Sequence, residues 1–146
     1  MIKVAVLGVG SLGQNHARIY SDLHEQGTVE LIGVYDTNAD QAEAVAAKYG
    51  TQALGSVEEA AAADALSVVT PTTTHHCLAK PLLEQGKHLL IEKPMTDNHD
   101  EAAELERALE GAAAELGVES AQVRRLDTQQ ALGSAGAAGE ATVSYT

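Results

Sequence analysis

The chain has 146 residues, 45% of them hydrophobic, which is one domain's worth with enough apolar content for a real core. Its net charge is −12, so it offers no basic patch to neutralise phosphates, and neither a nucleic acid nor an anionic membrane surface is expected as a partner. The single cysteine, Cys77, excludes an internal disulfide and suits a reducing, cytoplasmic setting.

The core must be built from Ala, Val, Leu and Ile, since Phe and Trp are absent. Ile2 to Leu7 is apolar and β-branched and stops at Gly8, the pattern of a buried strand ended by a turn. The apolar run Val4 to Val9 is too short for a signal peptide, and no run approaches the length of a bilayer span. A helix is expected from Leu12 to Gln26, with Leu12, His16, Ile19 and Leu23 on its inner face and Gly27 after it. Val29 to Tyr35 reads as a second strand, closed by Asp36. Asn38 is placed to cap a helix whose Ala42, Val45, Ala46 and Tyr49 recur at helical spacing, with Gly50 at its C-terminal end.

Thr51 to Leu54 is a short third strand, and Ser56 to Glu59 has the form of a capping box opening an alanine-rich helix. Ala65 to Thr70 is the fourth strand. A helix from about His75 to Gln85 follows, with a kink expected at Pro81. His88 to Ile91 is the fifth strand. A long helix from about Asn98 to Leu116 then turns Ala102, Leu105, Leu109 and Leu116 inward. Gly117 to Val123 makes a poorly apolar sixth strand, Thr128 to Gly139 has loop composition, and Ala141 to Tyr145 is a candidate edge strand.

Strands alternating with helices imply an α/β fold: a doubly wound parallel sheet of Rossmann type, in a single three-layer αβα domain with strand order 3-2-1-4-5-6. The domain is expected over residues 1–127, with a tail at 128–146.

Four features carry chemistry. Gly8, Gly10 and Gly13 form G-x-G-x-x-G directly after a strand and at the mouth of a helix, the context a dinucleotide site needs. The first glycine permits the turn, the second admits the pyrophosphate, and the third lets helix and strand pack closely, while the helix N-terminus presents free N–H groups. A glycine-rich turn without a ligand is the bland alternative. Asp36 ends the second strand, where a carboxylate accepts hydrogen bonds from the adenosine ribose and repels a 2′-phosphate, favouring NAD over NADP; a turn-capping Asp is the plain reading.

Thr70, Pro71, Thr72 and His75 follow the fourth strand, on the side where such sheets bind ligands. His75, His76 and Cys77 in a row fall short of a zinc set, because adjacent side chains diverge and no second ligand cluster exists. Lys93 lies beyond the fifth strand, between Glu92 and Pro94. From position alone, a proton-handling lysine and a solvated lysine paired with Glu92 stand equal.

The segments VAVLGVGSLGQNHARIY and TPTTTHHCLAKPLLEQGKHLLIEKPMT, together with Asp36, resemble the N-terminal half of the Gfo/Idh/MocA oxidoreductases, over Ile2 to about Glu110. The resemblance implies an NAD(P)-dependent enzyme that moves a hydride to or from a sugar or polyol hydroxyl. It implies a catalytic Lys93 that contacts nicotinamide and substrate, with a Lys-Pro peptide that is often cis. Cofactor contacts are implied at Gly8, Gly10, Leu12, Gly13, Asp36, Thr70, Pro71, Thr72, His75, Glu92, Lys93 and Pro94.

Family members continue into a second domain that forms the substrate pocket. Here the family's sixth-strand ending is not recognisable around Val118 to Asp127, which leaves truncation, a frame-shifted end or an engineered replacement open. Three functions follow: an oxidoreductase, a module that holds NAD with little catalysis, or a scaffold that responds to NAD. A homo-oligomer through a free sheet edge stays open as well.

Overall fold

The computed structural model describes residues 1–115, 122–125 and 142–145. Four parallel strands with flanking helices give the chain a Rossmann-like αβα fold. It packs as two compact units, Met1–Pro71 and Thr72–Thr146.

In the first unit, β1 (Ile2–Leu7) is central. It pairs in parallel with β2 (Val29–Tyr35) from Ile2↔Val29 to Leu7↔Tyr35, and with β3 (Ala65–Val68) from Val4↔Ala65 to Leu7↔Val68. Val4, Ala5, Val6 and Leu7 are all buried, as expected of a strand covered on both faces. The core joins Val6, Val9 and Val34 to Ala17 of α1 (Ser11–Glu25) and to Val45 and Ala46 of α2 (Ala39–Lys48), with Tyr20, Tyr49 and Val69 packed at its margin. Asn38 caps α2 as expected, its side chain accepting the Gln41 N–H at 3.2 Å.

Three expectations for this unit need correction. The inner face of α1 is made by Gly13 and Ala17, whereas Leu12 is 59% and Ile19 47% exposed. Small residues let the helix lie close to the sheet, and that closeness turns the larger side chains outward. The third strand shrinks to a single bridge, Ala53 to Val34, held by Val34 N–H to Gln52 O at 2.9 Å and Leu54 N–H to Val34 O at 2.8 Å. The expected alanine-rich helix is one turn, α3 (Val57–Ala60). Ser56 does cap it, accepting the Glu59 N–H, but the Glu59 carboxylate returns to the Gly55 N–H at 2.7 Å. The next strand begins at Ala65, which leaves no length for further turns.

In the second unit, α4 (Thr72–Glu84) packs on β4 (His88–Ile91) and on α5 (His99–Glu115). Helix α4 starts three residues earlier than the sequence suggests and runs through Pro81. That proline and Cys77, whose carbonyl loses its usual donor, both lie on the exposed side of the helix. Leu82, Leu83, Leu89, Ile91, Leu105 and Leu109 are buried. In place of a sixth strand continuing the sheet, β5 (Gln122–Arg125) pairs in parallel with β6 (Thr142–Tyr145) as a two-stranded sheet. The expected loop at 128–139 and the inward Leu116 lie outside the described residues.

Candidate functional site: a dinucleotide loop and a Lys-Pro turn

In the first unit, the carboxyl end of β1 is bracketed by its neighbours. The Gly8 N–H donates to Tyr35 O at 2.8 Å, and the Val69 N–H donates to Leu7 O at 2.8 Å. Beyond β1 the chain turns into α1, while β2 and β3 flank it on opposite sides. This is the topological switch point at which doubly wound sheets hold their ligands.

The three glycines play different geometric parts. Gly8 has φ +85°, and a Cβ there would meet Val69 O at 2.6 Å and Thr70 Cγ2 at 2.9 Å. A Cβ on Gly13 would collide with the Gly8 carbonyl. At Gly10, no described atom lies within 4 Å of where a Cβ would stand, so the space beside the backbone is open to a ligand. Gly10 is the N-cap of α1, and no described side chain caps that helix. A 15-residue helix thus presents uncapped N–H groups and its positive dipole end at this opening. An open cradle beside uncapped N–H groups fits a pyrophosphate.

Asp36 stands at the end of β2 and is tied to the glycine loop. Its Oδ2 accepts the Val9 N–H at 2.9 Å, and its Oδ1 accepts the Asn38 N–H at 2.9 Å. Each oxygen keeps acceptor capacity for a ribose hydroxyl. Thr70 is half-buried over Gly8, Pro71 is exposed, and Leu12 is exposed at the start of α1.

Beneath the loop, Ser67 on β3 is fully buried. Its Oγ meets the Tyr20 hydroxyl at 3.0 Å and His16 Nδ1 at 3.2 Å, which pins α1 to the strand. Burial pushes the Tyr20 phenol above its ordinary value, and the bond to Ser67 pulls it partly back. Sequence reasoning placed His16 on the helix's inner face and missed this polar cluster. Its only signal was a serine inside an apolar strand.

In the second unit, Glu92, Lys93 and Pro94 follow β4, and the Lys93–Pro94 peptide is cis. Lys93 is exposed, and its N–H donates to Glu92 Oε2 at 3.2 Å. His75 is 1% exposed on α4, and its Nδ1 donates to Pro94 O at 3.1 Å and Met95 O at 3.2 Å. Its tautomer therefore carries the proton on Nδ1. Thr72 is half-buried in the first turn of α4. His76 faces Glu104, with Nε2 to Oε2 at 3.0 Å, and Glu104 also takes Lys80 Nζ at 2.8 Å.

No group of three or more His, Cys, Asp or Glu side chains among the described residues is arranged to hold a metal ion. No helix among them is long and apolar enough to cross a membrane. An open groove of about 620 Å³, lined by Lys3, Glu30, Thr51 and Glu59 among others, lies at the amino ends of β1 and β2. That is the end opposite the glycine loop and the wrong end for the ligand of a doubly wound sheet.

The sequence and the fold resemble those of known proteins. The profile of the Gfo/Idh/MocA family, described as "Oxidoreductase family, NAD-binding Rossmann fold", matches residues 2–120. The UDP-N-acetylglucosamine 3-dehydrogenase of Acidithiobacillus ferrooxidans is 42% identical over 102 residues, covering 69% of this chain and 31% of the relative. Its solved structure superposes with a TM-score of 0.68 over 80% of this chain and 36% of that one. An inositol 2-dehydrogenase of Rhizobium meliloti is 33% identical over 96 residues, or 64% of this chain and 28% of the relative. The WlbA dehydrogenase of Bordetella pertussis, solved with NADH and UDP-GlcNAcA, has a TM-score of 0.68 at 28% identity, over 77% of this chain and 35% of that one. The chain spans about a third of the length of the relatives it matches. By the extent of the family match and the fold at its switch point, the chain belongs to the Gfo/Idh/MocA oxidoreductases and carries their NAD-binding Rossmann fold.

Proposed function

We propose that the chain is the cofactor-holding part of an NAD-dependent oxidoreductase acting on a sugar or polyol hydroxyl, with residues 1–127 as the dinucleotide domain and a cytoplasmic place of work. The observation that carries this reading is the uncapped N-terminus of α1 opening on Gly10, with the Asp36 carboxylate fixed beside it.

The proposed division of labour follows from the residues. Gly8, Gly10, Leu12 and Gly13 receive the pyrophosphate at the helix end. Asp36 accepts the ribose hydroxyls and repels a 2′-phosphate, so NAD is preferred to NADP. Thr70, Pro71 and Thr72 border the nicotinamide side, while His75 braces the turn that carries Glu92, Lys93 and Pro94. When bound, NAD supplies the hydride acceptor. Lys93 would take the proton from the substrate hydroxyl and return it in the reverse direction. The named activities of the relatives, on a nucleotide sugar and on inositol, support the substrate class.

Exposure of Lys93 favours a second reading, in which this stretch alone holds NAD with little turnover. An exposed side chain has no walls around it to seat a substrate and exclude water. Titration calorimetry with NAD and NADP, beside a turnover assay over sugars and polyols for the chain and its Lys93→Met variant, separates the readings. Turnover that depends on Lys93 supports the enzyme. Binding without turnover supports the holding module. Absence of NAD binding overturns both.

A further inference from the structure

Four hydrogen bonds close a ring across the glycine loop and the turn after β2. The Val9 N–H donates to Asp36 Oδ2 at 2.9 Å, and the Asn38 N–H donates to Asp36 Oδ1 at 2.9 Å. The Gln41 N–H donates to Asn38 Oδ1 at 3.2 Å, and Gln41 Nε2 donates to Val9 O at 3.0 Å. Both peptide groups of Val9 are therefore held by α2 and the turn before it, one by Asp36 and the other by Gln41.

We infer that Gln41 is a positioning residue for the cofactor, setting the orientation of the Gly10 peptide and, through the ring, of the Asp36 carboxylate. The inference rests on the reading that NAD binds at this loop.

The argument begins with peptide planarity. The Val9 carbonyl and the Gly10 N–H belong to one planar trans unit and point in opposite directions. Holding the carbonyl towards Gln41 therefore turns the Gly10 N–H the other way. Gly10 is where the open space lies, so the bond fixes a donor at the mouth of the cradle. Val9 itself is fully buried, with its side chain in the core, so its carbonyl cannot readily exchange Gln41 for water.

Gln41 is drawn to this task. A Gln three residues after a cap ordinarily turns back to the N–H of the capping residue. Here that N–H belongs to Asp36, and the Gln41 amide reaches out to Val9. Asp36 in turn is gripped through both oxygens. Two of its acceptor positions are filled by the ring, and the others are presented at a fixed angle, as a vicinal diol requires. The device thus couples pyrophosphate geometry to ribose selection.

The test uses the full 146-residue chain. Gln41→Met removes the donor while keeping length and helix propensity, and Gln41→Glu removes it with a side chain that suits the first turn of a helix. Calorimetry gives the dissociation constants for NAD and NADP, and NMR gives the exchange rate of the Val9 amide. The unsubstituted chain is expected to prefer NAD. In Gln41→Met, NAD binding weakens roughly 3- to 10-fold, the scale of one hydrogen bond. NADP binding weakens less, so the preference narrows, and the Val9 amide exchanges faster. Gln41→Glu likewise weakens NAD binding and speeds Val9 exchange, but its added carboxylate repels a 2′-phosphate, so the change in preference is read from Gln41→Met. A residue that only supports α2 would leave the cofactor preference unmoved. NAD affinity unchanged in both variants, with the preference unchanged in Gln41→Met, overturns the inference alone, whereas an unsubstituted chain that binds no NAD overturns the cofactor reading and the inference together.

Discussion

The buried ring of His75 holds the carbonyl of Pro94 at 3.1 Å and that of Met95 at 3.2 Å, so a helix side chain carries the turn that displays Lys93. Replacing the ring with an apolar group of similar bulk leaves two carbonyls without this donor. His75→Leu is therefore expected to cost about 1–3 kcal/mol of stability, the range for buried acceptors left unsatisfied. Denaturant unfolding measures it. A midpoint equal to that of the unsubstituted chain would show that the ring is not the brace.

Asp36 makes a different kind of prediction, because its carboxylate serves both the loop and the cofactor. Asp36→Ser removes the charge that excludes a 2′-phosphate and the two acceptors that hold Val9 and Asn38. NAD binding is expected to weaken roughly tenfold or more, the scale of charge-assisted hydrogen bonds, and the preference over NADP to narrow. Equal affinity for the two cofactors in the unsubstituted chain would remove the ribose assignment.

Much of this was legible in the residues. Gly8 follows a run of buried apolar residues, and its left-handed backbone is what such a position demands. Asp36 follows from the same logic one strand later. Leu12 and Ile19 misled for a physical reason. Helical periodicity weighs large apolar side chains, but α1 approaches the sheet through Gly13 and Ala17, which carry almost no such weight. The segment 51–54 has strand-like residues, yet Gln52 and Ala53 are exposed and cannot hold a ladder by packing. The bonds from Gln41 to Val9 and from Ser67 to His16 and Tyr20 join residues far apart in the chain, so no local pattern announces them.

Gly8 and Gly10 should separate folding from binding. Gly8→Ala forces a side chain into a left-handed backbone and against the Val69 carbonyl, with Cβ to O at 2.6 Å. A loss of about 1–3 kcal/mol is expected from the backbone conformation alone. Gly10→Val meets open space in the chain, so its melting temperature should stay close to that of the unsubstituted chain while NAD binding is lost. Thermal denaturation and calorimetry on the two variants check this. Normal NAD binding by Gly10→Val would reduce the loop to a turn.

The clamp between α4 and α5 predicts a pH window. Glu104 lies below its ordinary value because of the Lys80 hydrogen bond first and the His76 bond second. Lys80 lies above its ordinary value, chiefly through the same bond to Glu104. A depressed carboxylate contributes stability that is present above its unfolded value of 4.5 and lost as pH falls through its folded value. A raised lysine contributes stability that is present below its unfolded value of 10.5 and lost as pH rises through its folded value. The pair therefore acts across the neutral range and disappears at both extremes. Because these side chains are 38% exposed, the effect is small and screened by salt. Glu104→Gln should lower the melting temperature slightly at neutral pH and low salt. The difference from the unsubstituted chain should vanish in acid, in strong alkali and at high ionic strength. A difference that persists in acid would mean that Glu104 acts through packing, with charge contributing nothing.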